Sequence, residues 1–505
     1  MKAKPPYPST AAEEIALLCE RLRADQSIRI FDTTGRRQRS ITGTQLARLV
    51  DRQRDLLLAK GVEPNDTVLF AVRPSAAAVV NLLALMWIGA RTGLVDFREP
   101  AGLISSRTRR LQPKWVLTQP VIALAARSPF RQLAHRLRVR IPPIHRLAPR
   151  VITTSGRRGR VHTPRPSPEP SDDALVVFTS GTTAEPKAVV HTQATTAAMF
   201  RAVVDLMGDV KGQVVLSDQF HSLIPSVAAG ATALIAAPGI PAKTTAALIT
   251  AKQVTTWFTT PAAALHTARL LTAPNQLRHV ILGSAPVPKA LVSQLYKHLP
   301  DVEVTAVYAM TEAVPVAITS GAAITAHAET GDLIGSVVAG LTVEIDASGE
   351  LIIAGPRVGR YLDSAAPAPI RSGDIGHMTE NGELVLDGRA KDMILVDARN
   401  IYPQHYEHAL SGLTGVTAGA LVGVGTEYGN EELWAVVELD TFKVPLQTIA
   451  AAVATDDYLA PLPLAGLVAG RLPYTGRSRK LDRTLLRAAV LAALASGSAL
   501  RLKSR

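Results

Sequence analysis

One cysteine, Cys19, stands in a chain of 505 residues. A lone thiol cannot build a disulfide framework or a cysteine-rich zinc site, and such scarcity fits a reducing compartment. Apolar runs are also short. The longest, such as residues 76–90 (AAAVVNLLALMWIGA), fall below the ~20 residues of a bilayer-spanning helix, so no integral membrane association is expected. The opening residues, MKAKPPYPSTAAEE, lack the apolar core of a secretion signal, and a soluble, cytoplasmic protein is the expectation. Acidic residues are absent between Glu99 and Glu169, a stretch that holds fifteen lysines and arginines. Those fifteen exceed the whole net charge of +13, so the remainder is slightly acidic. The stretch is poor in aromatics and matches no nucleic-acid motif, which argues against a nucleic-acid partner. An acidic protein, a phosphorylated cosubstrate, anionic lipid or plain solvent could each face it.

What remains is ordinary for a globular protein: 47% hydrophobic and 19% charged residues. A chain of this length is expected to fold as two or more domains. From about residue 42 to residue 355, strand-like apolar runs alternate with helical periods, the pattern of an α/β protein with largely parallel sheets. Residues 46–59 carry helix spacing. Residues 67–72, 174–178, 254–259, 280–283 and 302–308 read as strands that end in polar or Gly/Pro-containing loops. In such folds ligands gather at the carboxyl ends of strands. Near residue 390 the character changes to a compact α+β unit, with a helix-like run at 403–413, strand-like runs at 419–425 and 433–439, and a final helix near 484–495. The expected architecture is therefore α/β. A large N-terminal domain of mixed or parallel sheets with helices spans residues 1–390, and a small α+β C-terminal domain spans 391–505.

The stretch FTSGTTAEPKAVVHT, beginning at Phe178, puts hydroxyls, free N–H groups and one lysine at the end of a strand, a combination suited to a polyphosphate. It is not a nucleoside-triphosphate P-loop, because Pro186 precedes Lys187 and Ala188 follows it. It resembles instead the signature loop of the adenylate-forming (AMP-binding) ligases, the superfamily of acyl-CoA synthetases, fatty-acyl-AMP ligases, luciferases and adenylation domains. Against that loop's pattern, T-S-G-T-T-G-x-P-K-G, the chain keeps seven of nine specified positions. Companion motifs follow the same order. Residues 61–98 resemble the family's early strand–helix–strand unit, and GSAP at Gly283 its adenine-side loop. YAMTE at Tyr308 is similar to Y-G-x-T-E, SGD at Ser372 to T-G-D, and GRAKD at Gly388 to G-R-x-[DK]-D. TGRSRKLDR at Thr475 resembles the C-terminal lysine motif.

The resemblance implies a fold of the adenylate-forming type and a two-step reaction. A carboxylate attacks the α-phosphate of ATP to give acyl-AMP, and a thiol then displaces AMP. It places Thr179, Ser180, Gly181, Thr182, Thr183 and Lys187 around the β- and γ-phosphates, with Ser284 and Ala285 beside adenine. Tyr308 would stack on adenine, Thr311 would reach a phosphate oxygen and Glu312 would hold Mg²⁺. Asp374 would accept from the ribose hydroxyls with Arg389 nearby. Lys480 would be the catalytic lysine and Lys391 the hinge of the small domain. His221, in DQFHSLIPS, falls beside the acyl site. Phe220-His221 offers no carboxylate for a substrate ammonium, which favours a plain carboxylic acid, fatty or aryl, over an α-amino acid. ATP and Mg²⁺ are thus the implied cosubstrate and metal. The acceptor is open between coenzyme A, a separate acyl carrier protein and an internal or amine nucleophile, with a fatty-acyl-CoA synthetase favoured.

Five family glycines are replaced, by Ala184, Ala188, Ala309, Ala398 and Arg479. Where such glycines supply a left-handed backbone, alanine forfeits it. Ordinary backbone angles at these positions, a slow enzyme, or a non-catalytic acyl- or nucleotide-binding relative would each follow. The retained polar side chains favour an enzyme.

Overall fold

The computed structural model describes residues 9–35, 38–95, 101–125, 144, 147–154, 167–178, 187–271, 275–364, 368–396, 399–426, 431–440, 444–456, 459–475 and 480–502. Among these, two large sheets carry the first four-fifths of the chain. One has seven strands, in the order Arg360–Tyr361, Ala188–Thr192, Asp173–Phe178, Arg91–Leu94, Thr67–Ala71, Trp115–Thr118 and Arg150–Thr153. Its last five strands are mutually parallel. The other has thirteen strands and a divided character. From Ile28–Asp32 to Glu303–Met310 its neighbours run parallel, and beyond that they are antiparallel as far as the edge strand Thr342–Ile345.

Helices lie between the two sheets. The helix Ala76–Ile88 is apolar on every side, as a helix sealed between layers must be. Ser75 caps its start by accepting from the Ala78 N–H, and Gly89 ends it at φ 79°, a left-handed angle that glycine adopts without steric cost. Its one polar intruder, Asn81, is satisfied: it accepts from Gln53 Nε2 at 2.7 Å and donates to the Ala77 carbonyl at 2.8 Å. The same core takes Ile30, Ala233 and Ile235 from the larger sheet and Val68, Phe70, Trp115 and Leu117 from the smaller one. The two sheets are therefore joined through one shared apolar layer, which fixes the carboxyl ends of their strands relative to one another. No helix among the described residues is long and apolar enough to cross a membrane.

After Arg389 the sheets stop. A 3₁₀ turn, Ala390–Asp392, leads to a short hairpin, Ile394–Val396 with Arg399–Ile401. A four-stranded sheet follows, built from Val416–Gly425, Glu431–Leu439, Leu464–Ala469 and Leu500–Arg501, with helices Gln404–Gly412, Leu446–Thr455 and Arg483–Ser496 packed on it. Trp434 is its fully buried centre. The α+β character expected after residue 390 is what the chain forms there.

Part of the basic stretch turns inward. Arg107 is only 5% exposed and lies 5.2 Å from the Phe178 ring, while Lys114 pairs with Asp66 at 2.8 Å. Arg110 pairs with Asp363. These cations are not a uniformly solvated face.

Candidate active site

Strands Ile370–Met378 and Leu384–Arg389 pair antiparallel with Asp374 opposite Arg389. Arg389 Nε lies 2.5 Å from Asp374 Oδ1. From the same sheet, Tyr308 donates its hydroxyl to Asp374 Oδ2 at 2.5 Å. Asp374 is 3% exposed, so these partners offset the desolvation of its charge. Burial, and then the charge of Asp374, raise the Tyr308 phenol well above its ordinary value, which keeps it a donor. Two carboxylate oxygens offer about four lone-pair sites, so capacity remains for a further donor.

The loop beyond strand His279–Leu282 is six residues long, from Gly283 to Pro288, before helix Lys289–His298 begins. Gly283 is walled by Phe258 and the Val307 carbonyl, at 3.6 and 3.7 Å from where a Cβ would stand. Ser284 is a non-glycine residue at φ 67°, and both it and Ala285 are exposed. His221, in the first turn of helix Phe220–Ala228, stands edge-on to Phe258 with ring centroids 5.2 Å apart. His221 is exposed rather than sealed in the core. Phe258 thus links His221 to the Gly283 loop.

A second cluster forms around Thr311 and Glu312. Strands Glu303–Met310 and Ala313–Ser320 pair antiparallel with Met310 opposite Ala313, which makes Thr311-Glu312 the two-residue connection. The Glu312 carbonyl accepts from the Gly359 N–H at 2.8 Å, and Glu312 Oε1 accepts from the Tyr361 hydroxyl at 3.2 Å. Burial and the Glu312 charge push the Tyr361 phenol up to about 12. The Thr311 carbonyl lies 2.8 Å from His191 Nε2. Lys187 Nζ stands 5.0 Å from the centre of the Tyr361 ring, which brings the lysine of the Thr-rich stretch to the same cluster.

The donor set suits a hard cation only in part. Thr311 Oγ1 and Glu312 Oε2 have no partner among the described residues, and both are oxygens. No group of three or more acidic, histidine or cysteine side chains gathers there among those residues. One carboxylate with few protein partners fits Mg²⁺, which keeps waters and takes phosphate oxygens from its substrate. It does not fit a metal held by protein alone.

Thr179, Ser180, Gly181, Thr182 and Thr183 lie outside the described residues, as do Ala184, Ala398 and Arg479. Ala188 and Ala309 can be judged. Both sit in strands, and neither has a left-handed backbone, so alanine forfeits nothing in conformation at either position. Lys391 is exposed within the 3₁₀ turn. Lys480 pairs with Thr475 in the hairpin of Tyr474–Thr475 and Lys480–Leu481, and its side chain lies outside the description. The root of that hairpin is well held. Asp482 caps the helix Arg483–Ser496, and Arg483 reaches Glu407 at 2.7 Å, the Leu421 carbonyl at 2.6 Å and Asp392 at 3.8 Å.

A family model described as AMP-binding enzyme matches residues 21–361 of the 505. The chain belongs to the AMP-binding enzyme family. The match ends before Asp374, Arg389 and Lys480, so the first two rest on the geometry above and Lys480 on its sequence motif. Among curated relatives of this AMP-binding enzyme, the indoleacetate–CoA ligase of Aromatoleum aromaticum is 27% identical over 441 residues, covering 79% of this chain and 83% of the relative. The long-chain-fatty-acid–CoA ligase FadD13 of Mycobacterium tuberculosis is 28% identical over 347 residues, covering 63% of this chain and 67% of the relative. Solved structures share the fold. The amide bond synthetase McbA from Marinactinospora thermotolerans superposes with a TM-score of 0.76 at 22% identity, over 95% of this chain and 99% of the other. The o-succinylbenzoate coenzyme A synthetase MenE from Bacillus subtilis, in complex with ATP and magnesium ion, gives 0.76 at 18% identity, over 95% and 99%.

Three members of the clusters were not singled out by sequence: His191, Gly359 and Tyr361. Their signal was faint. A histidine in VVHT and a glycine inside PRVGRYL look like strand and turn residues until strand Arg360–Tyr361 pairs with Val189 and Val190. The interior glycine was the available cue, since it marks a close approach of another group.

Proposed function

We propose that this AMP-binding enzyme activates a carboxylic acid with ATP, as an acyl-adenylate, and passes the acyl group to the thiol of coenzyme A. The observation that carries the reading is the convergence of Lys187, Thr311, Glu312 and Tyr361 in one cluster between the two sheets, with Tyr308, Asp374 and Arg389 in a second on the thirteen-stranded sheet. One suits a polyphosphate and the other a nucleoside. Relatives that are acyl-CoA ligases support the thiol acceptor.

In this reading Asp374 accepts from the ribose hydroxyls, held in place by Arg389 and Tyr308, and the Tyr308 ring lies against adenine. Ser284 and Ala285 border the adenine. Residues 179–183 and Lys187 face the β- and γ-phosphates, and Thr311 offers its hydroxyl to a phosphate oxygen. Mg²⁺, held by Glu312, would neutralise phosphate charge that otherwise repels the attacking carboxylate. The acid enters beside His221 and Phe258, where the Phe220-His221 pair itself offers no carboxylate for an ammonium. Lys480 supplies positive charge between the carboxylate and the α-phosphate, where charge develops as the bond forms. Residues 391–505 form the mobile unit, with Lys391 in the turn that absorbs its rotation between the two steps.

The test is pyrophosphate release with ATP and Mg²⁺ across fatty, aryl and amino acids, with and without coenzyme A. The expected result is turnover on fatty or aryl acids that rises with coenzyme A. A burst that coenzyme A does not relieve would move the acceptor to a carrier protein or an amine. No release with any acid would overturn the ligase reading.

A further inference from the structure

His191 lies on strand Ala188–Thr192, which carries the chain from the Thr-rich stretch into the core. It is 2% exposed. Burial presses its imidazole down to about 4, so the ring is neutral near pH 7 and carries a single N–H. The Thr311 carbonyl can only accept, which places that hydrogen on Nε2, 2.8 Å away. Nδ1 is left buried without a partner among the described residues. A buried, unpaired ring nitrogen costs stability. A leucine here would bury no polar atom, so packing alone does not account for a histidine.

The surroundings are cut to fit the ring. A Cβ on Gly359 would stand 2.8 Å from His191 Cε1. The same glycine donates its N–H to the Glu312 carbonyl. The two carbonyls of the Thr311-Glu312 connection are thus held from the other sheet, one by strand Ala188–Thr192 and one by the residue that leads into strand Arg360–Tyr361. Fixing the Thr311 carbonyl fixes the plane of the 311–312 peptide, because that unit turns as one body. The plane in turn sets the direction in which Glu312 leaves the backbone.

We propose that His191 is a positioning residue for the adenylation step, whose Nε2–H locks the Thr311-Glu312 turn so that the Thr311 hydroxyl and Glu312 Oε2 face the phosphates of ATP and their Mg²⁺. The proposal rests on the ligase reading above. It ties the strand that leaves the Thr-rich stretch to the turn that offers a metal ligand, across the two large sheets.

Three variants test it: His191→Gln, His191→Asn and His191→Leu. A glutamine amide reaches the place of Nε2, and an asparagine amide only that of Nδ1. In the leucine and asparagine variants, kcat/KM for ATP should fall about 10–100-fold, the usual effect of losing a group that orients a ligand, with a higher Mg²⁺ requirement. Glutamine should restore both to near the parent. A glutamine variant as impaired as leucine would overturn the proposal, as would a leucine variant with unchanged kinetics and Mg²⁺ dependence. A residue that merely packs would lower Tm in all three without ranking glutamine above asparagine. Hydrogen exchange of the amides at 309–314 gives a readout free of turnover: faster in leucine and asparagine, parental in glutamine. Equal exchange in all variants would overturn the proposal even if the parent activates no acid, a result that would separately remove the ligase reading.

Discussion

The Tyr308 hydroxyl donates to Asp374 Oδ2 at 2.5 Å, while Arg389 holds the other oxygen of the same carboxylate. The ring proposed to stack on adenine and the carboxylate proposed to accept from ribose are therefore one hydrogen-bonded unit rather than two neighbours. Tyr308→Phe keeps the ring and removes the bond. A hydrogen bond to a charged group contributes about 1.5–3 kcal/mol, so KM for ATP should rise at least tenfold while kcat changes less. Steady-state kinetics at saturating acid checks this, and an unchanged KM would separate the ring from the carboxylate.

Lys480 is expected to act on the transition state, not on ground-state binding. Lys480→Ala should lower the rate of acid-dependent pyrophosphate exchange by about 10²–10³ with ATP affinity nearly kept. Asp482 and Arg483 anchor the root of the hairpin that carries it, so Tm should stay at the parent value. Exchange kinetics and thermal unfolding on the same preparation check both halves.

How much of this could be read in sequence follows from which contacts are local. The parallel strands were legible because each is a short apolar run followed by a helical period, as at 67–72, which forms Thr67–Ala71, and 46–59, which forms part of Gly43–Ala59. The antiparallel half of the larger sheet was not. Its strands, such as Thr342–Ile345 and Ile370–Met378, are partly exposed and alternate, a weak signal beside turn residues. The strand Leu464–Ala469 was also missed, since six apolar residues fit a buried helix segment as well. In the site, motif residues such as Tyr308 and Asp374 stand out because their neighbours in sequence are distinctive. His191 and Tyr361 act through partners 120 and 49 residues away, Thr311 and Glu312, and no local pattern announces that.

Arg483 ties three parts of the C-terminal unit together. Its guanidinium joins Glu407 on one helix, the Leu421 carbonyl on a strand and Asp392 in the turn after Arg389. The partners raise its already high pKa against the desolvation that opposes them. Arg483→Met would leave Glu407 largely buried without its cation, and breaking such a pair costs about 3–5 kcal/mol. Residues 391–505 should then unfold earlier than the rest, seen as a split thermal transition. A single transition at the parental Tm would show the triad to be dispensable.

Acid should weaken the fold through His191 in a definite window. Its folded-state value, about 4, lies below the 6.5 of an unfolded histidine, so between those values the unfolded chain binds the extra proton. Stability is therefore lost as pH falls from 6.5 towards 4, by about 3 kcal/mol in all for a shift of that size, and lower pH adds nothing from this group. His405, also lowered by burial, acts in the same direction. His377 opposes both, because Asp387 and Glu329 outweigh its desolvation and raise it; its contribution is present at low pH and fades as pH rises, and exposure keeps it small. The difference between parent and His191→Gln isolates one group. Urea unfolding at pH 7 and pH 4.5 should show the parent losing more stability than the variant over that interval, and equal losses would mean that His191 is protonated in the folded state.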